Sequence, residues 1–121
     1  MAVLPHELQV WYVLPALRKE IALALIKNHK LPQKKVAQIM GLSEAAVSQY
    51  MSSKRGNNMK FSTEIMQRIE AAGDRINANN SVAMEELIRL SETDEVKVMV
   101  CQLHKEREPS LSMNCSMCFR R

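Results

Sequence analysis

Four residues have the types and spacing of two paired metal half-sites: Cys101-x2-His104 and, ten residues further on, Cys115-x2-Cys118. Residues three apart on a helix share a face, so Cys101 and His104 can offer a thiolate and an imidazole in the same direction. Cys115-Ser116-Met117-Cys118 can fold as a turn whose amides point at its own thiolates. Four such ligands are what tetrahedral zinc takes. An iron–sulfur cluster would use the three cysteines, with His104 or an outside ligand completing the set. The spacing suits both, and plainer readings stand beside them. Cys101 lies on an apolar stripe and can be core, His104 can be a solvated residue at a helix end, and Cys115 with Cys118 can form a redox dithiol.

A second set of residues suits contact with a polyanion. Lys34 and Lys35 fall in the first turn of an expected helix, a poor place for a cation unless it is solvated or shares a phosphate with the open amides of that turn. Lys54 and Arg55 lie in the basic loop SSKRGNN. Ser43, Glu44, Ala45, Ser48 and Gln49 lie between these two basic positions. Charge follows the same division: residues 1–60 hold nine Lys/Arg against three acids, a net +6, and residues 61–121 hold eight against ten, a net −2. Neutralising phosphates releases counterions and drives sequence-independent affinity, so the first half suits nucleic acid.

The element that must hold these residues is Gln33 to Met51, QKKVAQIMGLSEAAVSQYM. A helix packed through Val36, Ala37 and Met40 stops at Gly41, which can adopt the positive φ of a helix C-terminus. Leu42 is placed to plug the corner. Ser43 is an N-cap, and Val47 and Met51 make the inward edge of a second helix. Glu44, Ala45, Ser48, Gln49 and Ser52 are left outside. The spacing reads as a helix-turn-helix, against the plainer alternative of a generic αα corner.

Gln33, Ala37, Gly41 and Val47 are the positions at which this stretch resembles the Cro/repressor-type (XRE class) helix-turn-helix of small transcriptional regulators. The resemblance implies that the second helix enters the major groove of double-stranded DNA, with Ser43, Glu44, Ala45, Ser48 and Gln49 as its reading face. Glutamine pairs bidentately with adenine, glutamate accepts from the cytosine amino group, and alanine can touch a thymine methyl, each good pair contributing roughly 1–3 kcal/mol of discrimination. It also implies that Lys54 and Arg55 lie near the DNA backbone. The Leu14-Pro15 opening, the QKKVAQIMGLSEAAVSQYMSSKRG stretch and the cysteine-rich C-terminus are together similar to a group of predicted archaeal regulators. His104 stands where that group would carry a cysteine.

Around this core the periodicity predicts only helices. Met1 to Gln9 reads as a loose arm or short docking strand. Leu14, Leu17, Ile21 and Leu25 mark a helix from Pro15 to about His29, with Trp11 and Tyr12 as a packing lid and His29 as a helix-end residue. Ile65, Ile69, Ala72 and Ile76 mark another, capped by Ser62 or Thr63 and weakened at Gly73. Val82, Leu87, Ile88 and Leu90 mark a short one after an Asn-rich break. Val96, Met99, Val100 and Leu103 mark the last, behind an acidic start. No alternating β-branched run survives.

The expected fold is therefore all-α: a helix-turn-helix DNA-binding bundle with C-terminal helices and a short cysteine-rich metal-binding tail. The expected division is a DNA-binding region, 1–61, whose core is 33–51, and a helical region, 62–121, with the Cys/His cluster at 101–118. A single reading helix covers a half-site, so a homodimer is expected, with Met66, Met84 and Met99 at hand for its interface. The longest apolar run, Val10 to Leu17, is too short to span a membrane and no secretory leader is evident, which places the chain in the cytoplasm. Three cysteines there argue against a disulfide framework. Catalysis is not expected, because no Ser/His/Asp or paired-carboxylate set is evident and a four-ligand metal site lacks an open position. A zinc-stabilised helical adaptor without DNA binding is the competing function.

Overall fold

The computed structural model describes residues 4–52 and 60–107. The chain is all-α, with no strand among the described residues. Its first part is one continuous helical rod: α1 (Pro5–Leu8), a π-helical turn (Gln9–Val13) and α2 (Leu14–His29). The expected loose arm is therefore helical over its described part. The reason is burial at both ends of the turn, since Leu8 and Val13 are fully enclosed. Pro15 explains why the turn widens. Proline has no amide to donate and its ring crowds the carbonyl four residues back, and just before it Leu14 N–H reaches Gln9 O, five residues back. Tyr12 packs against the core as a lid should, but Trp11 is half exposed.

The central helix is α2, which touches α3 (Gln33–Met40), α4 (Glu44–Met51), α5 (Thr63–Ala78) and α6 (Ala83–Ser91). Leu17, Ile21 and Leu25 are fully buried as their spacing predicts. Ala16, Ala22, Ala24 and even Lys19 are buried too, because a helix surrounded by others buries more than one stripe. Gly73 of α5 faces Ala24, and a Cβ built at Gly73 would lie 3.4 Å from that of Ala24. The glycine thus marks the close approach of the two helices. A short 3-10 turn (Asn80–Val82), nucleated by the Asn79 side chain, leads into α6, and α7 (Asp94–Arg107) closes the bundle against α6, α1 and the π-turn.

One core runs through both halves of the chain. Leu8, Leu17, Ile21, Leu25, Val36 and Val47 from the first half meet Ile65, Ile69, Ile76, Leu90, Val96 and Val100 from the second. Each such side chain contributes about 1.5–3 kcal/mol on burial, so the two halves stabilise one another. None of the helices among the described residues is long and apolar enough to cross a membrane.

Candidate nucleic-acid interface

The turn between α3 and α4 is built by two local devices. Gly41 sits at φ +66°, and its amide and that of Leu42 return to Gln38 O (3.4 Å) and Ala37 O (2.9 Å), the paired bonds of a Schellman closure. Nothing lies within 4 Å of a Cβ built at Gly41. Glycine is needed there for its backbone freedom alone. Ser43 then stands in extended conformation and its Oγ accepts from Ala46 N–H at 3.0 Å, opening α4.

Packing decides which sides of the two helices remain outside. Val36, Ala37, Ala46, Val47 and Tyr50 are buried, with Leu42 and Met40 packed partly against them. Tyr50 carries more of the inward edge of α4 than Met51, which is only half-buried. A tyrosine beside a methionine gave no periodic reason to prefer it. The outward face of α4 is Ser43, Glu44, Ala45, Ser48 and Gln49, all exposed, and Lys34 and Lys35 are exposed on the first turn of α3. Neither lysine has an acidic partner among the described residues. Lys54 and Arg55 lie outside the described residues.

Of the expected metal ligands, Cys101 and His104 stand one turn apart on α7. Cys101 is half-buried, and His104 is only 7% exposed. His104 is thus not the solvated helix-end residue of the plainer reading; α7 carries its side chain inward. A partly enclosed thiol and an imidazole on one helix suit one half of a zinc or cluster site. Cys115 and Cys118 lie outside the described residues, and among those described no three His, Cys, Asp or Glu side chains gather as a metal site.

Sequence reasoning missed the buried carboxylate of Glu86, whose side chain is 4% exposed. Arg75 donates to it from Nε to Oε1 (2.6 Å) and from NH2 to Oε2 (3.1 Å), and Arg89 approaches Oε1 at 3.5 Å. The hydrogen bonds from Arg75 hold the Glu86 carboxyl below its ordinary range, against the opposing effect of burial. Arg75 is raised in return. The signal lay in Ala83, Glu86 and Leu90, whose spacing puts an acid on an apolar stripe. His29, expected as a simple helix-end residue, is also clipped to α5, with Nε2 2.8 Å from Asp74 Oδ1.

No known family model, curated protein or solved structure matches this chain.

Proposed function

We propose that the chain is a sequence-specific DNA-binding transcriptional regulator of helix-turn-helix type. The observation that carries this is the outer face of α4: Ser43, Glu44, Ala45, Ser48 and Gln49 stand together in solvent on a short helix whose other side is locked into the core. A helix that keeps adaptable hydrogen-bonding groups outward on a rigid mount can enter the major groove, Gln49 facing adenine and Glu44 the cytosine amino group. Lys34 and Lys35 beside the open amides of α3 supply phosphate contacts, joined by Lys54 and Arg55, which follow α4 in the sequence. Two copies would read half-sites about 34–36 Å apart or a multiple of that spacing.

The test is binding to a randomised duplex library across a range of salt. A regulator selects a sequence and loses affinity steeply as salt rises, whereas a helical adaptor does neither. In the Gln49→Ala variant the preferred sequence changes, and in Lys34→Gln/Lys35→Gln all sequences weaken alike while the salt slope flattens by roughly one per lost phosphate contact. An unselective library with wild-type protein overturns the reading.

The Cys/His set is assigned to the same protein as a metal centre, zinc or iron–sulfur, held by Cys101, His104, Cys115 and Cys118. When bound, such a centre supplies a crosslink between α7 and the segment that follows it. Metal analysis with an absorption spectrum on anaerobically purified protein separates the two metals, and its loss in Cys115→Ser/Cys118→Ser tests the ligand set.

A further inference from the structure

Met84 and Ile88 stand outward on α6, 74% and 49% exposed, on a helix whose other side is core. Beside them the C-terminal end of α3 and the edge of α6 enclose a groove of about 230 Å³ whose lining includes Ile39, Met40, Met84 and Leu87 together with the polar Arg18 and Gln38. Knob and hole therefore lie on one face. Met66 and Met99, the other methionines at hand for an interface, are instead packed partly into the core.

We propose that this face is a two-fold interface between copies of the chain, with Met84 of each copy seated in the groove of the other. A two-fold contact joins a patch to itself, so it requires a patch that carries its own complement, and an apolar protrusion beside a groove walled mainly by apolar side chains is such a patch. Methionine is flexible enough to fill an irregular hole. Charge points to the same occupant. Glu85, next after Met84, is exposed, and Arg18 lines the groove; neither has an ionic partner among the described residues, although Glu86 and Arg89 of the same helix are paired. Seating Met84 of one copy in the groove of the other carries Glu85 towards Arg18. Phosphate fits this face poorly, since Glu85 and Glu92 are exposed on it.

The expectation of two copies rests on the DNA reading, because one α4 covers one half-site. The choice of surface rests on the fold alone. Sedimentation of the full chain at micromolar concentration should show a dimer. Arg18→Glu and Glu85→Arg, each placing like charges together, should each weaken it by at least about tenfold, and the combined Arg18→Glu/Glu85→Arg variant should recover it. Met84→Glu should give a monomer whose circular dichroism matches the wild type, whose melting no longer depends on protein concentration, and which still binds a single half-site. A wild-type monomer, a dimer indifferent to all three single substitutions, or a folded charge-exchanged variant that stays monomeric would overturn the interface. A dimer that fails to select DNA would remove the proposed function and leave the interface standing.

Discussion

The outer face of α4 and the junction of α5 with α6 handle polar groups in opposite ways. At the junction, charge is consumed internally, with Glu86 enclosed by Arg75 and Arg89, and elsewhere on α5 Arg68 bridges to Glu64 and to Glu95 of α7 while Asp74 holds His29 of α2. On α4 and the start of α3, Gln49, Glu44, Lys34 and Lys35 face solvent, and none of them takes part in those ion pairs. A bundle needs cohesion among its own helices at the first place and an uncommitted surface at the second. The contrast teaches that net charge understates how the two halves differ, because four of the ten acids of the second half, Glu64, Asp74, Glu86 and Glu95, are already engaged with basic side chains of the fold.

The largest expected effect tests the junction. Arg75→Ala strands a buried carboxylate with only the longer contact to Arg89 and should cost about 2–3 kcal/mol of stability, at the low end for a broken pair because Arg75 is itself half exposed. Urea unfolding reads this, and DNA selectivity should be unchanged in the folded variant. Gln49→Ala is the converse experiment. It should leave unfolding within about 0.5 kcal/mol of wild type and remove roughly 1–3 kcal/mol of preference at one base pair.

Acid sharpens the same comparison. Because the folded-state pKa of Glu86 is lowered, its ionisation stabilises the fold above the unfolded carboxylate value of about 4.3. That contribution is lost as pH falls below this value and through the lower folded one. The stability gap between wild type and Arg75→Ala should therefore be wide at neutral pH and narrow in acid, as pH-dependent urea titrations would show. The smallest effect concerns Lys30, which ends α2 at φ +57° in the left-handed region. Lys30→Gly should relieve that conformation and raise stability by up to about 1 kcal/mol, readable as a small rise in Tm.

Local physics was legible in the residues themselves. A glycine at position 41 and a serine at 43 specify a helix stop and start through φ and a single hydrogen bond, and both depend on atoms within a few residues. The apolar spacings of α2, α5 and α7 likewise announced helices, because a 3.6-residue repeat needs no knowledge of what it packs against. The exposed side of α4 follows from the same repeat with Val47 on the inward side.

Only the tertiary structure decided where each apolar stripe meets its neighbours. Ile88 shares the spacing of Val82 and Leu87 yet stands outward, and Glu86 lies inward, because α5 presents Arg75 where a hydrocarbon would otherwise be required. The N-terminal segment is helical because α7, some ninety residues later in the chain, packs against it. His104 is enclosed although its neighbours Lys105 and Glu106 are charged. Periodicity reveals that a helix has a buried side; which residues at the margins of that side are covered depends on partners distant in sequence, and their positions exist only once the bundle has closed.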